Sequence, residues 1–257
     1  MDLQLAGKTA LITGSSRGIG LAIATTLQAE GCRVVLNARN EADLTVAVAS
    51  LPGSVAVAGD MADPVSAQRV VNHTVAKVGQ LDILVCNVGG GRSVAPGRET
   101  ATEWQRVFAL NLWSATNTIE AAREALAANR GSVVCISSIC GQEVIPGAPI
   151  TYSAAKAALH AYVRGIARPF GQEGIRINAV APGNILFDGS VWSRKLAEDA
   201  QSVQDMLFSN VALSKLGTPE DVARLVAFLV SPVSGFATGA VWTVDGGQVR
   251  SYAAPNV

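Results

Sequence analysis

The stretch TALITGSSRGIG, residues 9–20, joins a short apolar run to a glycine cluster and decides which fold we expect. The run 9–13 is rich in β-formers and apolar, which is typical of a buried strand. Gly14, Gly18 and Gly20 follow with the spacing G-x-x-x-G-x-G, just before a helical pattern. Such a turn lets the backbone approach a pyrophosphate, and the helix N-terminus supplies free N–H groups. The stretch predicts a phosphate-binding turn, although a bare strand-to-helix turn also uses glycine.

The remainder of the chain continues the alternation that this stretch begins. Apolar β-rich runs alternate with alanine-rich helical segments, which indicates βαβ units, a parallel sheet and right-handed crossovers. We find no linker or repeat, so we predict one domain over residues 1–257 in which the unassigned segment at about 184–217 is a substrate lid. The predicted strands are 9–13, 33–37, 55–58, 83–86, 132–136, 176–180 and 241–244, and the predicted helices lie near 18–30, 41–50, 64–78, 101–128, 151–171 and 218–230.

The composition indicates a globular protein without a preference for polyanions. The chain has 257 residues, a formal net charge of zero and a hydrophobic fraction of 49 %. This is enough to bury a large core, and the neutral charge gives no case for nucleic acid or an anionic membrane surface. We therefore expect a small-molecule substrate, with neither nucleic acid nor membrane as a partner.

The cysteine pattern and the N-terminal residues suggest a cytoplasmic protein without a metal. The four cysteines form no CxxC pair and are accompanied only by His73 and His160, so no zinc set can be assembled. Free thiols in a reducing cytoplasm are the simpler interpretation, and no signal peptide is recognisable. The uncharged run 225–244 has the length of a membrane helix, but Pro232 and Gly235 interrupt it. We predict a helix end, a turn and a strand there.

The tip of the second predicted strand bears on the choice of dinucleotide. It reads VLNARN over residues 35–40 and lacks the acid that would bind the ribose hydroxyls of NAD. Arg39 and Arg17 instead offer planar cations for a 2′-phosphate. We therefore predict NADP(H), while the alternative is that both arginines are solvated surface charges.

With these motifs in order, the chain resembles the short-chain dehydrogenase/reductase family over nearly its whole length. Asn87-Val88-Gly89 is similar to the family's Asn-Ala-Gly, and residues 152–156, YSAAK, match its Tyr-x-x-x-Lys. The resemblance implies a Rossmann-type α/β fold with strand order 3-2-1-4-5-6-7, helices on both faces, and a homotetramer or dimer. It implies a cofactor-binding set of Gly14, Ser15, Ser16, Arg17, Gly18, Ile19, Gly20, Arg39, Asp60, Met61, Asn87, Gly89, Tyr152, Lys156, Pro182, Gly183 and Ile185.

The resemblance further implies a catalytic set, and the residues suit that chemistry. Tyr152 and Lys156 lie one helical turn apart. An ammonium beside the phenol, together with the positive charge of the oxidised nicotinamide, is therefore expected to lower a tyrosine pKa of ~10. Ser138 would hold the substrate oxygen and Asn111 a water linked to Lys156. The implied reaction is hydride transfer between NADPH and a carbonyl, with Tyr152 donating the proton.

Two further polar residues of the same helix receive no catalytic role. His160 continues the stripe of Tyr152 and Lys156 but lies about 12 Å from Tyr152 along the helix axis. We predict a packing or interface role for His160. Tyr162 points to another face.

The substrate pocket is predicted with less detail. Ile139, Val144, Phe187 and Trp192 are its expected apolar lining. Phe187 stands where many relatives place a threonine that bonds the nicotinamide amide, and Val88 replaces the family's alanine. Surface cations are candidates for an acidic substrate tail, although solvation explains them equally well; they are Arg92, Arg194 and Lys195.

Several functions remain open. Relatives that act on acyl carrier protein place basic residues at the positions of Asn129, which has Arg130 next to it, and Glu173. The sequence therefore favours a small or medium apolar ketone, or a 3-oxoacyl-like substrate, over a strict role in fatty-acid synthesis. An NAD-dependent alcohol, sugar or steroid dehydrogenase is a further alternative. A non-catalytic NADP(H)-binding regulator is a different class, and it predicts damage to a catalytic set that is here complete.

Overall fold

A computed structural model describes residues 1–249 and contains one sheet of seven parallel strands. The strand order β3-β2-β1-β4-β5-β6-β7 confirms the expected Rossmann-type α/β fold. The prediction of a single domain over 1–257 extends past these residues, because 250–257 lie outside the described part. The strands are β1 (Thr9–Ile12), β2 (Arg33–Ala38), β3 (Val55–Ala58), β4 (Ile83–Cys86), β5 (Ser132–Ile136), β6 (Arg176–Pro182) and β7 (Val241–Val244).

The helices follow the predicted alternation, with local signals at their N-termini. Asp63 caps α3 and Thr218 caps α9, and each is followed by a proline at the first helical position. The helices are α1 (Gly18–Ala29), α2 (Glu41–Ser50), α3 (Pro64–Val78), α4 (Ala101–Phe108), α5 (Ser114–Ala128), α6 (Ile150–Gln172), α7 (Val191–Glu198), α8 (Ala200–Asn210) and α9 (Pro219–Val230).

Two segments differ from the sequence-based expectation. The predicted helix 101–128 is interrupted by a π-helical turn, Ala109–Trp113, between α4 and α5. The supposed lid at 184–217 is not one long loop, because it contains α7 and α8. Three buried residues of this segment, Val203, Leu207 and Val211, form an apolar cluster of their own.

The sheet is covered on both faces, which explains the continuous apolar runs in its strands. Leu11 belongs to the core on one face, whereas the next residue, Ile12, belongs to the core on the other. Helices α1 and α9 pack together on one side, and α3 and α5 pack together on the other. No helix within residues 1–249 is long and apolar enough to cross a membrane. The uncharged run 225–244 instead supplies the end of α9, a short turn and β7.

The topology gathers the carboxyl ends of the central strands at one edge. The chain leaves β1 toward β2 on one side, whereas β4 pairs with β1 on the other. Ligands of open α/β sheets bind in the crevice at such a reversal. The residues that follow β1, β4, β5 and β6 all come to this edge.

Candidate active site

The loop between β1 and α1 requires its glycines. Gly14 and Gly18 have φ angles of +62° and +57°, which side chains rarely adopt. A Cβ on Gly20 would lie 2.5 Å from the Gly14 carbonyl oxygen and from Asn87 Nδ2. The loop is therefore closed tightly over the end of the sheet.

The N-terminus of α1 has no side-chain cap. Arg17 occupies the cap position in an extended conformation, and the first turn contains no acidic residue. Ser15 does not cap the helix, because its buried hydroxyl donates to the Ile12 carbonyl and accepts from the Asn37 N–H. An uncapped helix N-terminus beside a glycine loop is suited to an anionic group. The neighbouring loop residues Ser16 and Ile19 are partly buried.

Asn87 joins this loop to the end of β4. Its Nδ2 donates to the carbonyl oxygens of Thr13 and Gly14 at 3.1 and 2.9 Å. Its own N–H donates to the Thr13 hydroxyl at 3.0 Å. Asn87 therefore holds the glycine loop in place through hydrogen bonds to the backbone of that loop.

The tip of β2 carries a buried amide, Asn37, and an exposed arginine, Arg39. Asn37 is fully buried, and its Nδ2 donates to the carbonyls of Val57 and Gly59 at 3.0 and 3.2 Å. The Arg39 side chain is 72 % exposed and lies 3.7 Å from a carboxylate oxygen of Asp60. Arg17 is also exposed. Each arginine is thus an exposed cation, Arg39 at the tip of β2 and Arg17 in the glycine loop.

Two further backbone segments follow β3 and β6, on opposite sides of the central strands. Met61, the residue after Asp60, is buried, and its carbonyl accepts a hydrogen bond from Asn117 Nδ2 at 3.3 Å. After Pro182, the Gly183 N–H donates to the Val244 carbonyl at 2.9 Å. Ile185 forms a parallel bridge with Gly217, so the base of the lid is tied to the start of α9.

Helix α6 brings the expected tyrosine and lysine to the serine that follows β5. The Ser138 side chain lies beside the Tyr152 hydroxyl and favours its ionised form. Lys156 is 2 % exposed, and its Nζ donates to the Ile136 carbonyl at 2.9 Å. The same Nζ lies 5.8 Å from the centroid of the Tyr152 ring. Three groups from two separate parts of the sequence, the Tyr-x-x-x-Lys motif and Ser138, are therefore adjacent.

Burial sets the proton affinities of this pair. It raises the pKa of Tyr152 to about 12, and the neighbouring Ser138 side chain opposes only part of that rise. In the protein without cofactor, the net shift of the Tyr152 pKa is therefore upward, opposite to the direction expected for the ammonium and the oxidised nicotinamide together. Burial also lowers the pKa of Lys156 to about 8, which brings the ammonium close to its titration range near neutral pH.

Asn111 lies in the π-helical turn and is 1 % exposed. It contacts the glycine segment after β4, because the Gly90 N–H donates to its Oδ1 at 2.9 Å. A Cβ on Gly89 would lie 3.0 Å from Asn111 Oδ1 and 3.1 Å from Lys156 Nζ. The side chains of Asn111 and Lys156 thus approach the same glycine.

The expected pocket residues lie in different surroundings. Ile139 is buried beside Ser138, whereas Val144 is 83 % exposed. Trp192 packs on the lid cluster, with Lys195 Nζ 4.7 Å from its ring centroid. The Phe187 ring lies against Gly18, where a Cβ would approach it to 2.6 Å.

Some contacts around the site have no signal in the sequence. The Ser93 and Thr151 hydroxyls are 2.6 Å apart, and Ser93 also donates to Glu103, which joins the loop after β4 to α6 and α4. Cys86 and Cys135 are register partners on β4 and β5. Serine and cysteine at these spacings are too common for sequence alone to single them out.

Comparison with known proteins shows which protein family the chain matches. A protein-family model described as Enoyl-(Acyl carrier protein) reductase matches residues 14–248. The matched span begins at the glycine loop and includes Asn111, Ser138, Tyr152 and Lys156.

Individual relatives have several activities. The chain is 36 % identical to the cyclic-di-GMP-binding biofilm dispersal mediator protein of Escherichia coli K12, over 93 % of this chain and 96 % of that protein. It is 34 % identical to 3-oxoacyl-[acyl-carrier-protein] reductase of the same strain, over 96 % and 99 % of the two chains. The solved structure of L-sorbose reductase from Gluconobacter frateurii, complexed with NADPH and L-sorbose, is 30 % identical with a TM-score of 0.91 over 98 % of this chain and all of that one.

Proposed function

The chain belongs to the short-chain dehydrogenase/reductase family, whose members are oxidoreductases acting on CH–OH and C=O groups, and on that premise we propose that it is an NADP(H)-dependent ketone reductase. One observation carries the proposal most directly. Ser138 and Tyr152 lie side by side next to the buried Lys156, at the sheet edge that also holds the glycine loop. This arrangement presents two hydroxyls to one substrate oxygen.

The residues present fit a nicotinamide dinucleotide. The uncapped N-terminus of α1 and the glycine loop suit the diphosphate, while Asp60 lies at the edge expected for the adenosine portion. When bound, the cofactor supplies the hydride. Pro182, Gly183 and Ile185 would hold the nicotinamide portion, and the Ile185 backbone replaces the side-chain hydroxyl that Phe187 lacks.

The choice of NADP(H) over NAD(H) follows from the end of β2. A carboxylate at this tip would bind the ribose hydroxyls of NAD, but Asn37 is used internally and Arg39 is exposed. Arg17 adds a second exposed cation from the glycine loop. Arginine matches the geometry of a phosphate through its planar set of donors.

The catalytic side chains have separable tasks. Ser138 donates a hydrogen bond to the carbonyl oxygen of the substrate and holds it beside Tyr152. Tyr152 gives its proton to that oxygen as the alcohol forms, and its raised pKa keeps it protonated beforehand. Lys156 provides positive charge that stabilises the tyrosinate left behind, and Asn111 holds the neighbouring glycine segment.

The surface near the end of α5 favours a substrate that is not linked to a carrier protein. Glu173 is ion-paired with Arg123, and Asn129 Nδ2 donates to the Ala125 carbonyl at 2.9 Å. Neither side chain is a free cation for an acidic carrier. We therefore favour a small or medium ketone, or a 3-oxoacyl compound that is free or linked to coenzyme A.

NADPH oxidation measured across 3-oxoacyl thioesters, cyclic ketones, sugars and steroids tests this function. The proposal predicts turnover of at least one compound without a carrier protein, with NADPH preferred over NADH. Activity confined to carrier-linked thioesters would favour a role in fatty-acid synthesis instead. Tight NADPH binding without turnover of any compound would favour the non-catalytic regulator.

The quaternary structure and domain extent belong to the same proposal. We expect a homotetramer or a dimer built through the helices near 101–128 and 151–171, and one domain that includes the lid at about 184–217. Size-exclusion chromatography with light scattering tests the assembly. A clean monomer would contradict it.

A further inference from the structure

His160 lies one turn beyond Lys156 on α6 and is 2 % exposed. Its Nδ1 is 3.1 Å from the carbonyl oxygen of Gly141. Because a carbonyl oxygen only accepts hydrogen bonds, Nδ1 carries the proton in this contact. Nε2 is then an acceptor, and it has no hydrogen-bond partner within the described part of the chain.

Packing alone does not account for a histidine at this position. A buried acceptor without a partner is unfavourable, and leucine would fill similar space without one. Burial also lowers the pKa of His160 to about 4, so the ring is neutral near pH 7. The contact with Gly141 is the interaction that distinguishes histidine from an apolar side chain here.

Gly141 ends the turn that carries the catalytic serine. The 3₁₀ turn Ile139–Gly141 follows Ser138, and the Gly141 N–H donates to the Ser138 carbonyl at 3.0 Å. The Cys140 N–H donates to Ser138 Oγ at 3.2 Å, so the turn also orients the serine hydroxyl. A Cβ on Gly141 would lie 2.7 Å from the Lys156 carbonyl carbon, which shows how closely the turn rests on α6.

We propose that His160 is a positioning residue that fixes Ser138 relative to Tyr152 by holding the Gly141 carbonyl on α6. Three contacts connect the two residues. His160 binds the Gly141 carbonyl, Gly141 belongs to the 3₁₀ turn, and the Cys140 N–H of that turn donates to Ser138 Oγ. The kinetic part of this inference rests on the proposed reductase function, whereas its structural part does not. Misplacement of a reacting group by about 1 Å can cost roughly 100-fold in rate, so a single distant hydrogen bond can matter.

Two substitutions separate the hydrogen bond from the space that the ring fills. His160→Asn places an amide N–H near the position of Nδ1, whereas His160→Leu fills the space without a donor. We expect H160L to lower kcat roughly 10- to 100-fold and to leave the dissociation constant of NADPH within about twofold. H160N should retain kcat within about threefold. Equal losses for H160N and H160L, or an undiminished kcat in H160L, would overturn the proposal.

A double-mutant cycle with Ser138→Ala shows whether the effect passes through the serine. If His160 acts by positioning Ser138, H160L should lower the residual kcat of S138A by less than about twofold. A full additional loss in the double mutant would mean general damage to the fold, and it would contradict the positioning role.

Amide hydrogen exchange tests the structural part without requiring turnover. In the full-length chain, H160L should speed exchange at Cys140 and Gly141 by about tenfold, and H160N should not. Unchanged exchange in H160L would overturn the inference. If the wild-type chain reduces no ketone but the exchange result holds, the proposed function fails while the structural coupling stands.

Discussion

The side-chain amide of Asn111 makes two hydrogen bonds with the backbone of Gly90, which lies 21 residues earlier in the chain. The Gly90 N–H donates to Oδ1 at 2.9 Å, and Nδ2 donates to the Gly90 carbonyl at 3.1 Å. Nδ2 also donates to the Val107 carbonyl at 3.0 Å, one turn back along its own helix. Asn111 thereby fixes the glycine segment against the π-helical turn, next to Lys156.

Replacement of Asn111 by aspartate should test this clamp, because the two side chains have the same shape. N111D keeps an acceptor for the Gly90 N–H but loses the donor to two carbonyls, and it buries a carboxylate. We expect kcat to fall at least about tenfold and the melting temperature to fall by several degrees. The exposed Asn72→Asp is the matched control, and similar behaviour of the two variants would argue against the clamp.

The assignment of NADP(H) predicts a switch in cofactor preference. The double substitution Ala38→Asp with Arg39→Ala supplies the missing carboxylate and removes the exposed cation at the tip of β2. We expect the ratio of kcat/KM for NADPH to that for NADH to fall roughly 100-fold. The Arg39–Asp60 pair is on the surface, so Arg39→Ala alone should change stability by less than about 1 kcal/mol. An unchanged ratio would show that the arginine is only a solvated charge.

The buried Lys156 predicts how stability depends on pH in the chain without cofactor. Its pKa is lowered from 10.5 to about 8, so the unfolded chain holds this proton more tightly than the folded one. The unfavourable contribution is complete below about pH 8 and disappears as pH rises toward 10.5. The free energy of unfolding of the wild type should therefore rise relative to Lys156→Met over this interval, by up to about 3 kcal/mol.

Denaturant unfolding at pH 7, 9 and 10.5 measures this difference between the two proteins. The exposed Lys77→Met is the control, and its difference from the wild type should stay within about 0.5 kcal/mol at every pH. A wild-type stability that falls relative to K156M as pH rises would show that the lysine is not held in a desolvated site.

The parallel sheet was predictable because its strands are buried on both faces. A strand such as β4 is then apolar at every position, as ILVC in residues 83–86 shows. The short helices α7 and α8 were not predictable in the same way. Their apolar residues, among them Val203 and Leu207, contact a small cluster inside the lid, and so do not mark a wide apolar face.

The placement of the candidate residues relative to one another was partly predictable, whereas their pKa values were not. Tyr152 and Lys156 share a helical face, which spacing alone shows. The pKa of each depends on burial by segments distant in sequence, and the tyrosine pKa consequently moves up where spacing suggested down. The π-helical turn at Asn111 and the contact of His160 with Gly141 likewise depend on tertiary packing.

The central claim is that Tyr152 donates the proton in an NADPH-dependent reduction. Single-turnover NADPH oxidation with the best ketone from the substrate screen, compared between Tyr152→Phe and Tyr162→Phe, tests it most directly. Tyr162 lies on the same helix but packs with the core on another face, so its variant should react at nearly the wild-type rate. Y152F should bind NADPH yet react at least about 1,000-fold more slowly. A rate for Y152F close to that of Y162F would contradict the proposed mechanism.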